Sequence, residues 1–373
     1  MRLSIDKEQF LKGLAIASKA IAAKSPDPLL SNLKLDLNEK GLEITGTNKE
    51  ITIKSLVPYR IGEKEIIRAY GLGSTLINAK LLTEEVRLME GTELSLEVID
   101  ESIAKIDDGR SSIRLNCIKA REYTDIDLEP NGVILTIPSA DLAQAIEQSA
   151  FAASNKEQRP ILTAVNLEAG NGILTATATD SARLARKTIN IDSDARFVAN
   201  VPAKTLVDVS RLFEGVDRVT LAVSDSSILF LFENTVICSR LVSGTFPVSR
   251  TIIPLTFNYY LEVNAQELLS AMNRASLLSA EHDSVVKLSM SEEEVQVSAR
   301  SEQTGSALES IRTFQFTGER LDVSFNSLFV ADAIKALKTE DVRLCFQAEM
   351  KPFVVQSPKD DSVIELVTPM RTY

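Results

Sequence analysis

Apolar and polar residues alternate with a period of two through residues 172–187, where Leu174, Ala176 and Ala178 fall on one face and Thr175, Thr177 and Thr179 on the other. The pattern predicts a strand, a tight corner at Thr179-Asp180-Ser181, where an Asp suits a turn, and a second strand that opens on Arg183 and Leu184. Nearer the start the period lengthens. Between residues 6 and 23, Phe10, Leu14, Ala17 and Ile21 recur at helical spacing, with Lys12 and Lys19 seven apart on another face, which predicts an amphipathic helix. The breaker Ser25-Pro26-Asp27-Pro28 follows, and then two alternating strands over 32–37 and 42–53, joined by Asn38-Glu39-Lys40-Gly41.

This unit of helix, strand, turn and strand recurs. Asn32-Leu33-Lys34-Leu35 matches Ala164-Val165-Asn166-Leu167 and Val285-Val286-Lys287-Leu288, at offsets of 132 (164 minus 32) and 121 (285 minus 164). The same offsets carry Leu42-Glu43-Ile44 onto Leu174-Thr175-Ala176 and Val295-Gln296-Val297, and Thr47-Asn48 onto Thr179-Asp180. A helical segment followed by a strand repeats as well: 73–82 before Leu94-Ser95-Leu96, 202–213 before Val219-Thr220-Leu221, and 326–338 before Val342-Arg343-Leu344, with Pro202 read as a helix start. Turn-rich stretches at 121–132 and 249–258 separate the copies, so three domains of about 120 residues are predicted, at 1–124, 130–249 and 255–373. The helices carry Lys12, Lys19, Lys80, Lys204, Arg211, Arg274, Lys335 and Lys338. For any one of these a solvated face is the ordinary role; recurrence in every copy is what marks them.

Composition narrows the function. The 373 residues are 44% hydrophobic and carry a formal net charge of −11, so the chain is globular, too long for one core, and acidic. Tight non-specific binding of nucleic acid needs many Lys and Arg on phosphates, so any contact with DNA is local or weak. Asp6, Lys7 and Glu8 stand where a signal peptide needs an apolar run, and no stretch of about 18 apolar residues occurs, which predicts a cytoplasmic protein. Cys117, Cys238 and Cys345 form no CxxC pair and are expected to be reduced and buried.

Catalytic signatures are missing. There is no GxxxxGK[ST], HExxH or GxSxG, and His282 is the sole histidine, in a polar loop with no nucleophile beside it. Gly71-Leu72-Gly73 lacks the third glycine of a dinucleotide site and reads as a helix start. Asp107-Asp108 and Glu292-Glu293-Glu294 are tandem acids beside turns, not oxygens converging from several elements, so neither metal nor cofactor is expected. A hydrolase could use Asp180 and Arg183 as acid and anion clamp, but their spacing favours fixing the turn. Tyr123, Phe246, Tyr259 and Tyr260 show no basic–aromatic interleaving for single-stranded bases.

The threefold repeat at this length, Ala178-Thr179-Asp180-Ser181-Ala182-Arg183-Leu184-Ala185, Gly244-Thr245-Phe246-Pro247 and the final Thr368-Pro369-Met370-Arg371-Thr372-Tyr373 together resemble the bacterial sliding clamps, the beta subunits of DNA polymerase III, over the whole chain. The resemblance implies an α+β fold of three similar domains (the DNA clamp fold), each with two helices packed on antiparallel sheets. It also implies a ring-shaped head-to-tail homodimer that encircles double-stranded DNA without reading sequence, and a non-catalytic processivity subunit. The implied partners are the replicative DNA polymerase, an ATP-dependent clamp loader and other proteins with clamp-binding motifs, and no membrane. Topology would hold such a ring in place while weak phosphate contacts let it slide, which suits an acidic chain with basic helices. Lys24 falls where the family places a DNA-contacting residue, and helical spacing adds Lys12, Lys19, Lys204 and Arg211.

The family's peptide pocket maps onto Leu162, Thr179, Ser181, Arg183, Leu184, Pro247, Val354, Leu366, Val367, Pro369, Met370 and Arg371. Each apolar side chain of a docked peptide would contribute about 1.5–3 kcal/mol there, and Met370 adds adaptability. Ala182 replaces a larger His or Tyr, Val248 an acid, and Thr368 a Leu or Met, which reshapes the pocket. The subunit contact maps onto Ile113 against Leu277 and Leu278. The competing reading is a repeat scaffold that binds peptide motifs but not DNA.

Overall fold

The computed structural model describes residues 1–21, 27–123, 126–248, 251–279 and 284–371; Lys24 and His282 lie outside them. Two compact units are present, one of Met1–Ser139 with Asp208–Leu241 and one of Ala140–Val207 with Val242–Tyr373.

Among the described residues six α-helices recur at matching places: α1 (Lys7–Ala17), α2 (Ala79–Leu88), α3 (Ser139–Glu147), α4 (Ala203–Ser210), α5 (Ala265–Ser276) and α6 (Ser327–Leu337). Each is entered directly from a strand with no loop between. At four of them Asp6, Asn78, Asn264 and Asn326 cap the entry, each side chain accepting amide hydrogens of the first helical turn, while α3 and α4 follow Pro138 and Pro202. Phe10, Leu14 and Ala17 are the buried stripe of α1, as the spacing predicts, but the helix tightens to a 3-10 turn at Ser18–Ala20 instead of running to residue 23. α1 lies so close to the sheet that a Cβ on Gly46 would stand 2.4 Å from the Ala17 carbonyl oxygen.

Three sequence expectations give way here. The stretch 73–82 is a strand, Gly73–Asn78, before it is a helix, so Gly71-Leu72-Gly73 is not a helix start. Pro202 closes the strand Phe197–Pro202, and α4 begins one residue later. The stretch 42–53 is two strands, Gly41–Thr47 and Ile51–Pro58, because Asn48 Oδ1 accepts from the amides of Glu50 and Ile51 (3.0 and 2.8 Å) and folds the chain back.

All strand pairing is antiparallel. The first unit holds one thirteen-stranded sheet, in which Ile51–Pro58 pairs with Thr235–Arg240. The second unit holds a nine-stranded sheet, in which Arg183–Asn190 pairs with Asp360–Val367, and a four-stranded sheet that ends on Gly305–Ile311. Each unit has its own apolar core under its helices, one around Phe10, Leu14 and Leu82, the other around Leu268, Phe325 and Phe353. Among the cysteines Cys345 is buried, whereas Cys117 and Cys238 are only half-buried, less than expected.

Candidate peptide-binding site

The corner at Thr179-Asp180-Ser181 is built from its own side chains. Asp180 Oδ1 accepts from the amides of Ala182 and Arg183 (2.9 and 3.0 Å), the Thr179 hydroxyl donates to the Arg183 carbonyl (2.6 Å), and Ser181 takes a positive φ of 83°. The first copy repeats this with Asn48, Thr47 and Lys49 (φ 75°), and in the third Ser301 accepts from the amides of Gln303 and Thr304 (3.3 and 3.4 Å). Three corners share one device, and only the middle one is followed by Arg183 and Leu184.

Strand alternation sends those two residues to opposite faces of the nine-stranded sheet. Leu184 lies opposite Leu366, Leu366 opposite Val354, Val354 opposite Cys345, and Cys345 opposite Tyr260, one residue from each of five adjacent strands. Leu184, Val354, Leu366 and Cys345 form a small apolar cluster with Ile253, and Phe257 and Ile364 pack against it. It is separate from the main core, which holds Val367 and Phe353 on the other face. The segment after this strand is held by its backbone: Thr368 N donates to the Ala182 carbonyl (2.9 Å) and Met370 N to that of Ser324 (2.7 Å). Pro369 is buried, Met370 half-buried and Arg371 exposed.

Arg183 does not present a free guanidinium. Its Nε meets Asp180 (3.1 Å), Nη1 meets Asp332 on α6 (2.7 Å), and Nη2 donates to the Phe151 carbonyl (2.9 Å). The rings of Phe329 and Phe151 lie 4.7 and 5.4 Å from its Cζ. Leu162 is buried in the 3-10 turn Pro160–Thr163; Ser181 and Pro247 are exposed, and Thr179 is buried. The structure thus joins Leu184, Val354 and Leu366 in one cluster, and sets Thr179, Ser181 and Arg183 at the corner beside it. Sequence reasoning missed Ile253, Phe257 and Cys345 in the cluster and Phe151, Phe329 and Asp332 around Arg183; alternation could have signalled Cys345 alone.

Three family models match the chain in succession: DNA polymerase III beta subunit, N-terminal domain, over residues 1–127; central domain over 136–248; and C-terminal domain over 250–371. The chain belongs to the DNA polymerase III beta subunit family. It is 32% identical over 378 residues to the beta sliding clamp of Bacillus subtilis (strain 168), and 32% over 377 residues to that of Streptococcus pneumoniae (strain R6), with 100% of each chain covered. Among solved structures it is similar to the DNA polymerase sliding clamp of Bacillus subtilis (TM-score 0.96, 31% identity) and to the DNA polymerase III beta chain of Streptococcus pneumoniae TIGR4 (TM-score 0.95, 31% identity), again over 100% of both chains.

The fold is therefore the three-domain clamp fold of helices on antiparallel sheets, and the beta subunit is a processivity factor, not a catalyst. The family binds DNA and the polymerase. Among the described residues no helix is long and apolar enough to cross a membrane, and no group of three His, Cys, Asp or Glu could hold a metal ion. Of the sequence-predicted cations, those among the described residues sit on the helices or at their ends, and Lys24 lies outside them. Lys12, Lys19 and Lys204 are exposed with no ion-pair partner among the described residues, while Arg211 pairs with Asp208 (3.3 Å) and Arg274 with Glu309 (2.6 Å). Ile113 is half-buried on the strand Ser112–Ile118, Leu277 is 79% exposed at the end of α5, and Leu278 is half-buried.

Proposed function

We propose that the chain closes with a second copy, head to tail, into a ring around double-stranded DNA, and that the Leu184 cluster tethers the replicative polymerase and other proteins bearing clamp-binding motifs. The observation that carries this is the run of three beta-subunit domains, in order, along the whole chain. Domain limits of 1–124, 130–249 and 255–373 suit the repeat, and the cytoplasm is where the replicated DNA is met.

Edge strands support the ring. Within the chain the copies join twice, Ile51–Pro58 to Thr235–Arg240 and Arg183–Asn190 to Asp360–Val367. The corresponding strand of the third copy, Gly305–Ile311, ends its sheet, and Ser112–Ile118 of the first copy pairs on its outer side only through Cys117 and Ile118. A third junction of the same kind joins these two edges between subunits, with Ile113 on one side and Leu277, Leu278 and the 64%-exposed Leu308 on the other. Lys12, Lys19, Lys24, Lys204 and Arg211 serve as weak phosphate contacts, and an ATP-dependent clamp loader opens the ring.

The peptide pocket uses Leu162, Thr179, Ser181, Leu184, Pro247, Val354, Leu366, Pro369, Met370 and Arg371, with Arg183 holding the corner; Val367, matched to the pocket from sequence, faces the main core on the other side of the sheet and only backs it. Two or three apolar anchors, less ordering costs, give exchangeable binding near about 1 μM.

Primer extension on a long, singly primed circular template, with polymerase, loader and ATP, tests the reading. The chain is expected to lengthen products from single binding events at least about tenfold, and Leu184→Lys to abolish that gain while leaving the dimer intact. Products of equal length with and without the chain would overturn it, and are what a scaffold that ignores DNA would give.

A further inference from the structure

Helix α6 departs from its sister helices at one position. Counting from the residue before each helix, Asn78, Pro202 and Asn326, the sixth residue is Glu84, Asp208 and Asp332, and the ninth is Arg87, Arg211 and Lys335. Glu84 pairs with Arg87 (2.6 Å) and Asp208 with Arg211 (3.3 Å). Asp332 does not make the corresponding pair with Lys335. Its carboxylate goes instead to Arg183, at 2.7 Å, and Lys335 is exposed with no ion-pair partner among the described residues.

The corner that receives this contact does not need it in order to form. Its sisters close on Asn48 and Ser301 with no arginine following them. The extra contact occurs only where the corner carries Leu184, and where the Ala182 carbonyl holds Thr368 at the head of the pocket's tail segment.

We propose that Asp332 and Phe329 are positioning residues of the peptide pocket, acting through Arg183 to hold the corner that sets Leu184 against Leu366. The inference rests on the pocket reading above. Phe329 fixes the plane of the guanidinium and Asp332 its direction, so two elements far apart in sequence keep one wall of the pocket in register with the other. Without Asp332, Arg183 keeps Asp180, which lies in its own corner, and the Phe151 carbonyl, and its only remaining hold on α6 among these contacts is the face of the Phe329 ring, with no hydrogen bond to fix its direction.

The test is a titration of a fluorescein-labelled short peptide ending in Leu-Phe against the full chain, followed by anisotropy, with Leu184→Lys as the control for the pocket itself. Asp332→Asn is expected to weaken binding about tenfold, Asp332→Glu to recover most of it, and Asp208→Asn to leave it unchanged. In an Arg183→Met background, Asp332→Asn should make no further difference, which a general loss of stability would not produce. Should Asp332→Asn fold poorly, Phe329→Leu is expected to weaken binding about threefold. The inference is overturned if Leu184→Lys abolishes binding while Asp332→Asn binds within twofold of the unaltered chain, or if the Asp332→Asn effect persists without Arg183. Normal binding by Leu184→Lys would instead remove the pocket reading, and this inference with it.

Discussion

Glu365 shows what a single buried carboxyl does to this fold. It is 2% exposed on the strand Asp360–Val367, and its Oε1 has no hydrogen-bond partner among the described residues. Burial pushes its carboxyl well above the usual range, and the charge of Arg183 offsets this only in part, since Asp180 and Asp332 already take that guanidinium. The folded chain therefore holds a proton that the unfolded chain releases near pH 4.3. That contribution to stability is complete below the unfolded pKa and is lost as pH rises from there toward the raised folded value. Glu365→Gln, which cannot ionise, is expected to raise the thermal midpoint at pH 8 by about 3 °C and to change it little at pH 4. An equal shift at both pH values, measured by calorimetry, would contradict this. At this scale Leu184 was readable from the corner repeat, whereas Val354 and Leu366 were reached only through the family resemblance; the three lie side by side on adjacent strands. Asp332 was not readable as a partner of Arg183, because the two are 149 positions apart and nothing local marks an ion pair of that span.

At the scale of elements, the repeat was the most legible feature, since strand and helix periods recur at nearly fixed offsets. The boundaries were not. A strand that enters a helix directly, as Gly73–Asn78 enters α2, mixes periods of two and 3.6 within one window, and the capping Asn78 looks like any polar residue. Which edges stay unpaired was also hidden, because pairing across copies depends on tertiary order. Those edges argue for a dimer: Leu277→Lys together with Leu278→Lys would put two charges into the proposed apolar contact. Each leucine, if fully buried in the contact, contributes about 1.5–3 kcal/mol, so losing both is expected to raise the subunit Kd at least about a hundredfold. Light scattering at micromolar concentration should show mass moving from dimer to monomer; an unchanged dimer would contradict the proposed interface.

At the scale of the molecule, a net charge of −11 and exposed lysines on the helices have to be reconciled. Lys12, Lys19, Lys80, Lys204 and Lys335 stand without ion-pair partners among the described residues, whereas Arg87, Arg211, Arg274 and Lys338 are paired. On the proposed reading so few free helix cations would give weak, salt-sensitive contact, and direct affinity for DNA would fall away as salt rises. A closed ring does not depend on that affinity, because it leaves a circle only by opening. The most direct test is to load the full chain onto nicked circular DNA with clamp loader and ATP, raise the salt, and pass the mixture through gel filtration before and after cutting the circle. The ring account predicts that the chain stays with the circle through high salt and is released when the DNA is linearised; loss from the intact circle at high salt, or retention on linear DNA with free ends, would contradict it.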